Sequence, residues 1–291
     1  MTETTATGAM ARERDGGGRS RRLGKHVLLI AFGVAMLYPL LWMVSSSVKP
    51  TELIFRDPSI WPTELDLRNY VDGWTALRHP FHFYLFNSAV IAVAAVIGNL
   101  LSCSLAAYAF ARLEFPGRKL FFALMLSTLM LPIQVLIIPQ YILFAQLDWI
   151  NTDLPLIVPK FLAHDAFFIF LMVQFIRSLP RELGEAARID GCGHFRIYSR
   201  IIMPLALPAL ATSALFTFIW TWNDFFSQLI FLTDPDIYTM PVALRSFMDG
   251  QGETAWGQLF AMSIVGLVPI FGFFLAGQRY LTQGVATTGF K

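Results

Sequence analysis

The chain has 291 residues, of which 55% are hydrophobic and 14% are charged, and its formal net charge is +2. Soluble domains carry about 25% charged residues, so this composition argues against a soluble globule, a disordered chain and a coiled coil. The small net charge argues against nucleic-acid binding, and the two cysteines provide neither a disulfide framework nor a metal-ligand spacing. An integral membrane protein is the class that remains.

The predicted elements begin with residues 1–24, which are rich in Gly, Thr and Arg and are expected to form a disordered cytoplasmic tail. Six apolar runs follow, each long enough to cross a hydrocarbon core of about 30 Å. They cover residues 27–48, 85–111, 120–145, 155–176, 204–232 and 259–278. The first run exceeds the ~7–15 apolar residues of a signal peptide, which indicates a retained helix. Residues 25–291 are therefore predicted to form an all-α membrane domain of six transmembrane helices.

The basic residues predict the orientation of these helices. With the N-terminus in the cytoplasm, sixteen Lys and Arg residues fall on the inner side and five fall outside. Short cytoplasmic loops carry such an excess of positive charge. Both termini are therefore predicted to be cytoplasmic.

The fourth run contains three ionisable residues, Lys160, His164 and Asp165. On a continuous helix Lys160 and His164 share a face, whereas Asp165 lies five residues from Lys160 and is poorly placed to pair with it. Ionisable groups in a membrane are costly and usually face a cavity or a partner. These residues support one alternative function, a secondary transporter driven by an ion gradient; the other interpretation is that they line a hydrated path or an interface.

Polar and aromatic residues in two other runs are candidates for a solute path. Trp220, Asn223 and Asp224 are spaced to share one helical face in the fifth run, and Gln134 and Gln140 lie in the third. Amides, carboxylates and flat rings can contact a polar solute. Alternatively, Asn223 and Asp224 bond helix to helix or cap the outer end of the fifth run.

The sequence contains no motif for covalent chemistry. Gly24-Lys25-His26 is the nearest approach to a phosphate-binding loop, but Arg19 replaces the upstream Gly and no Ser or Thr follows Lys25. No metalloprotease, serine-hydrolase or Cys/His metal motif occurs. The chain is therefore not expected to be an enzyme, and no ATPase site, metal or cofactor of its own is expected.

The loop between the fourth and fifth runs, residues 177–203, has the features of two short helices. Pro180 suits a helix start, acidic residues follow in the early turns, and Gly191 is a helix stop. A second short helix is predicted at residues 194–198. Ala186 and Ala187 would let another surface approach closely, with Glu185 and Arg188 as a charged rim, so the helix suits docking into a soluble partner. The alternative is a helix lying on the membrane surface.

This loop resembles the EAA loop of ABC importer permeases in its Glu-Ala-Ala triplet, Gly191, Ile201 and the Met203-Pro204 pair at fixed spacing; Met203 stands where the family has Leu. Residues 107–112 and 222–224 are further matches, and the resemblance runs from about residue 26. It is closest to the carbohydrate permeases of the MalG-like type. The resemblance implies a type I importer fold in which cytoplasmic coupling helices dock on ATPase subunits. The coupling residues it implies are Glu185, Ala186, Ala187 and Gly191, flanked by Arg188 and Asp190.

The same resemblance implies the partners. They are a second homologous permease, two ATP-binding cassette subunits that hold ATP and Mg, and an extracytoplasmic solute-binding protein. The outer loop 233–256 is expected to contact the solute-binding protein. The alternative is that this loop only connects two spans. The implied location is the bilayer of the bacterial cytoplasmic (inner) membrane. The implied function is ATP-driven import of a sugar or oligosaccharide, and an ABC permease for a non-sugar solute is the alternative within the family.

Overall fold

The computed structural model describes residues 16–248 and 255–286, which form helices and no strand. Four helical segments in this part of the chain are long and apolar enough to cross a membrane, and two strongly bent pairs of helices raise the number to six if each pair is one span. The four segments are Gly24–Ser47, Phe81–Arg112, Leu154–Ser178 and Trp256–Arg279. The all-helical, multi-span architecture predicted from the sequence is therefore confirmed.

The helices are named in chain order. They are α1 (Gly16–Ser47), α2 (Arg68–Thr75), α3 (Phe81–Arg112), α4 (Arg118–Thr128), α5 (Ile133–Gln146), α6 (Leu154–Ile157), α7 (Ala166–Ser178), α8 (Glu182–Ile189), α9 (His194–Ile197), α10 (Met203–Leu205), α11 (Leu207–Trp222), α12 (Phe226–Phe231), α13 (Met240–Ser246) and α14 (Trp256–Ala286). Short 3₁₀ helices lie at Thr51–Leu53, Val158–Leu162 and Pro235–Ile237, and a π-helical turn lies at Tyr198–Ile202.

The first helix begins earlier than predicted. Because α1 starts at Gly16, the prediction of a disordered tail is wrong for residues 16–24, and residues 1–15 lie outside the described residues. None of the apolar stretch of α1 is buried within this chain. It packs on α14, where the rings of Trp42 and Phe260 meet edge to face at 5.5 Å. The rest of its apolar surface is left for lipid or another subunit.

Two of the predicted spans, the third and the fifth, are bent pairs of helices. The axes of α4 and α5 differ by 101°, and Pro132 is the N-cap residue of α5. A proline lacks an N–H and disfavours helix in the residue before it, which separates the two helices. The pair His194–Leu205 and Leu207–Trp222 bends by 77° before Pro208 at the first turn of α11. The helical span within residues 204–232 is shorter than that apolar run, because α11 ends at Trp222 and α12 is separate.

Helix α3 is central to the fold and packs against α7, α11 and the 3₁₀ helix Val158–Leu162. Small residues on its buried face, including Ala92, Ala95 and Ala107, let these neighbours approach closely. Two clusters of buried side chains result. They are named by the predicted orientation: the outer cluster contains Phe81, Tyr84, Phe218 and Trp222, and the inner cluster joins the ends of α3 and α7 to the loop that carries α8 and α9.

Candidate functional site

The first helix of the predicted coupling loop ends in a defined C-cap. Gly191 has φ +77°, its N–H donates to the carbonyl of Arg188 at 3.0 Å, and the N–H of Cys192 donates to that of Ala187 at 2.9 Å. This pair of bonds is the Schellman arrangement, which needs a residue in the left-handed region after the helix. Gly191 is therefore confirmed as the helix stop, whereas α8 begins at Glu182, two residues after Pro180.

The second helix of the loop is fastened to the membrane core. α9 covers His194–Ile197, and a wider π-helical turn follows at Tyr198. The buried Tyr198 hydroxyl is 2.7 Å from the Ser104 hydroxyl, and its ring meets that of Tyr108 at 5.5 Å. Both partners belong to α3. Because of these contacts, a displacement of this loop would act directly on α3.

The two alanines of the EAA triplet face in different directions. Ala187 is only 7% exposed and lies in the inner cluster with Ala107, Tyr108 and Ile197 of the same chain. Ala186 is exposed. The prediction that both present one small-residue face to a partner is therefore wrong for Ala187, whose small side chain lets α8 approach the end of α3.

The outward side of the loop combines charge with bulky apolar groups. Glu185, Ala186, Arg188 and Asp190 are all exposed. Ile189 is 87% exposed and Phe195 is 75% exposed. The sequence pattern indicated the alanines and the charged rim but not Ile189 and Phe195, although large apolar residues in a polar loop are a recognisable signal. We call this set the docking face, because exposed apolar residues rimmed by charge are typical of interaction sites.

Arg112, the last residue of α3, ties that helix to the start of the coupling loop. Its Nη2 donates to the carbonyl of Ile176 and to that of Leu179, both at 2.8 Å. The Ile176 carbonyl lies in the last turn of α7, where it also accepts from the N–H of Leu179, the C-cap residue, at 3.3 Å, and a cation there complements the helix dipole. Residues 107–112 were part of the resemblance to the permease family, but the sequence indicated no role for Arg112.

Replacing Arg112 with Met is expected to loosen residues 177–203. Hydrogen bonds to a charged group contribute about 1.5–3 kcal/mol, so trypsin cleavage at Arg181 and Arg188 of the protein in detergent should become about tenfold faster or more. Arg118→Met is the matched control, because Arg118 donates to Leu113 within its own loop at 2.7 Å. Equal cleavage of the two variants would contradict the anchoring role.

A cavity of about 470 Å³ opens between the end of α3 and α8. Most of the charged side chains in its walls are basic, with Glu114 and Glu185 as the acids among the lining residues. The cationic lining residues are Arg112, Arg118, Arg181, Arg188 and, when protonated, His194. Because this space separates α8 from the α3–α4 loop, the packing of α8 is concentrated on the side of Ala187.

The predicted solute-path residues do not form one helical face. Asn223 caps the end of α11 and donates to the carbonyl of Ile219 at 2.8 Å. Asp224 follows the helix, and its Oδ1 accepts from the N–H of Ser227 at 3.0 Å in the first turn of α12. The shared-face prediction is wrong because the helix ends at Trp222, and the capping alternative describes these contacts.

The remaining path candidates are separate from that cap. Gln134 is exposed and Gln140 half-buried on α5. Trp220 lies in the last turn of α11 and is half exposed. In the described residues, no group of three or more His, Cys, Asp or Glu side chains could hold a metal ion.

The fourth span is broken where the sequence predicts a continuous helix. Ala163 adopts a left-handed conformation with φ +53°, between the 3₁₀ helix Val158–Leu162 and α7. The break brings Lys160 Nζ to 2.8 Å from Asp165 Oδ2, and His164 Nδ1 lies 3.2 Å from Asp165 Oδ1. The predictions that Lys160 and Asp165 are poorly placed to pair, and that Lys160 and His164 share a helical face, are therefore wrong.

A comparison with solved structures finds a chain of the same fold. A chain of the crystal structure of a bacterial ABC transporter involved in the import of the acidic polysaccharide alginate superposes with a TM-score of 0.80. The match covers 91% of the present chain and 98% of the other, at 23% sequence identity. At that identity the comparison shows the shared fold.

Comparisons of sequence identify relatives over most of the chain. The probable ABC transporter permease protein YurM of Bacillus subtilis is 34% identical over 91% of this chain and 87% of its own length. The diacetylchitobiose uptake system permease protein NgcG of Streptomyces coelicolor is 32% identical over 91% and 88%, respectively. The family profile for the inner membrane component of binding-protein-dependent transport systems matches residues 98–287. The chain therefore belongs to this family, the membrane permeases of ABC transport systems.

Proposed function

We propose that this permease lines the solute path of an ATP-driven importer for a sugar or oligosaccharide, together with a second, homologous permease. The observation that carries the proposal is the docking face of α8 and α9, which is exposed on one side and fastened to α3 on the other. When a soluble subunit bound to such a face moves, the contacts with α3 transmit that movement to the membrane helices. The saccharide named for the Streptomyces relative supports the solute class.

In this proposal two ATP-binding cassette subunits dock on Glu185, Ala186, Arg188 and Asp190 and hold ATP and Mg themselves. Ala187 and Gly191 act by shaping the loop, the first through packing and the second through its left-handed backbone. The chain contributes no ATPase site, catalytic group or cofactor. Both termini lie in the cytoplasm, as the excess of basic residues on that side favours.

An extracytoplasmic solute-binding protein is proposed to contact the outer loop 233–256. Cysteines at Asp249 or Gln251 are expected to crosslink to it, although residues 249–254 lie outside the described part of the chain. The described start of the loop is well anchored: the Asn151 side chain accepts from Thr233 N–H and hydroxyl, both at 2.7 Å. Such anchoring presents a loop in a defined position.

The path proposal for Gln134, Gln140, Trp220, Asn223 and Asp224 is tested most sharply at Asp224, because its capping role can be separated from solute contact. Asp224→Ala removes the cap, at a cost of about 1 kcal/mol, and Asp224→Asn keeps an acceptor for Ser227. Both variants are expected to lower uptake several-fold while ATPase activity stimulated by the binding protein survives. Full uptake by Asp224→Asn would assign this residue to capping alone.

The energy source decides between the proposal and its main alternative. Uptake of labelled diacetylchitobiose, maltose and glycerol 3-phosphate is measured with the purified complex in sealed vesicles, with either ATP or an ion gradient. We expect uptake of a saccharide that requires ATP and proceeds without a gradient. Uptake driven by a gradient alone would establish a secondary carrier, and uptake of glycerol 3-phosphate alone would establish a non-sugar importer.

A further inference from the structure

The break in the fourth span creates a polar site that the coupling mechanism does not use. Lys160, His164 and Asp165 are held together by the left-handed turn at Ala163. Ser102 of α3 donates to the carbonyl of Lys160 at 2.7 Å and so satisfies part of the backbone that the break frees. Irregular backbone at membrane depth is tolerated only where protein or a water-filled cavity surrounds it.

The site lies near the middle of the membrane. Ser102 precedes Arg112, at the inner end of α3, by ten residues, which at about 1.5 Å per residue is roughly 15 Å. A hydrocarbon core is about 30 Å thick. The charged cluster is therefore about as far from water as a transmembrane segment allows, unless a path or another protein reaches it.

The cluster is nevertheless exposed at the surface of this chain. The His164 side chain is 46% exposed, while Lys160 and Asp165 are partly exposed. Ionisable groups near the bilayer centre almost always face a bundle interior or a water-filled cavity, because contact with lipid tails is costly. This side of the fourth span therefore faces something other than lipid.

An aromatic surface continues from the cluster. Phe167 and Phe168 lie in the first turn of α7, directly after Asp165, and both rings contact Trp220 of α11 at 5.4 and 5.1 Å between centroids. Phe216 adds a fourth ring at 5.9 Å from Trp220. Trp220 is half exposed, and Phe167 and Phe216 are also exposed. Hydrogen-bonding groups thus adjoin flat apolar faces.

We infer that the broken segment at Lys160–Asp165 and the rings of Phe167 and Trp220 line the solute path at mid-membrane and contact a neutral polyol. The inference rests on the proposed function and specifies its solute class. Lys160 and Asp165 neutralise each other, and the remaining lone pairs of Asp165 and the free ring nitrogen of His164 suit hydroxyl groups. An anionic solute would need an unpaired cation here, whereas Lys160 is paired with Asp165 at 2.8 Å.

The first arm of the test asks whether water reaches the site. The probe is a charged methanethiosulfonate, applied to the assembled complex in which Cys103→Ser and Cys192→Ser remove the native thiols. His164→Cys and Phe167→Cys are compared with Met36→Cys, near the middle of α1, whose apolar stretch is not buried within this chain. Only the thiolate reacts, and it forms in water, so we expect the two site thiols to react about 100-fold faster than the control.

Labelling is measured both at rest and with ATP hydrolysis arrested by vanadate. Reaction of either site thiol well above the control in either state supports the path. Rates at the control level for both thiols in both states would overturn it and assign the surface to lipid or to the permease–permease interface. ATPase activity stimulated by the binding protein identifies the variants that assemble into the complex. If His164→Cys does not assemble, the labelling of Phe167→Cys alone decides the test.

The second arm tests the charge balance. In the Phe167→Cys chain, the ratio of labelling by an anionic and a cationic methanethiosulfonate is measured before and after Asp165→Asn. Loss of the carboxylate leaves Lys160 unpaired, and the ratio is expected to rise about tenfold. Lys160→Met should lower it instead. An unchanged ratio in both variants would overturn a neutral site, and ATP-driven uptake by the unaltered complex would still support the proposed function.

Discussion

Glu185→Lys is expected to abolish ATP-driven uptake while the permease still inserts into the membrane. Glu185 lies on the exposed side of α8, beside Ala186 and within one turn of Ile189. In a docked complex this side chain loses water, and a reversed charge then faces groups arranged for a carboxylate. Disrupting such a buried charge pair costs about 2–5 kcal/mol or more, which corresponds to about a 30-fold to several-thousand-fold loss of affinity for the ATPase subunits.

The measurements are co-purification of the ATPase subunits and uptake by the reconstituted complex. Glu185→Gln keeps the size of the side chain and removes only its charge, so it should give a smaller defect. Glu64→Lys makes the same reversal at an exposed position between α1 and α2, far along the chain from the loop, and should leave ATPase binding intact. If Glu185→Lys binds the ATPase subunits normally and supports normal uptake, Glu185 has no role in docking.

Gly191→Val is expected to uncouple the complex for a different reason, the conformation of the backbone. A Cβ added at Gly191 would meet no atom within 4 Å, so space is not limiting, but φ is +77°. A β-branched residue in this region is strained by about 1–3 kcal/mol, enough to displace the Schellman cap and re-aim α9. Uptake should fall about tenfold or more.

Gly191→Asn is the matched control, because asparagine adopts the left-handed conformation far more readily than valine. Both variants add a side chain at the same exposed position, and only the backbone preference separates them. We expect Asn to retain most of the uptake and to keep the wild-type pattern of trypsin cleavage in residues 177–203. An equal loss in both variants would mean that the surface at Gly191, not its backbone, is what matters.

Much of the architecture could be predicted because it depends on local chemistry. A membrane span requires a long apolar run, and such runs are visible in any sequence regardless of how they pack. The stop at Gly191 was predictable for the same reason, since a left-handed cap strongly favours glycine. The likeness to ABC importer permeases followed from residues at fixed spacing in one loop.

Two of the site predictions that went wrong assumed an uninterrupted helix. Residues 220, 223 and 224 share a face only if the helix continues, and it ends at Trp222. Lys160 and Asp165 cannot pair well on a regular helix, yet the turn at Ala163 brings them to 2.8 Å. A non-glycine residue with positive φ is stabilised by its surroundings, here by packing of the broken segment on α3, and leaves no mark in the sequence.

By itself, then, the sequence determined the membrane class, the approximate spans, the helix stop at Gly191 and the family of the coupling loop. Only the tertiary structure decided that Ala187 faces the inner cluster while Ala186 faces outward, and that Arg112 holds the end of α7. The reason is physical. Apolarity and backbone preference are properties of single residues, whereas the direction a side chain faces depends on the partners that pack around its helix.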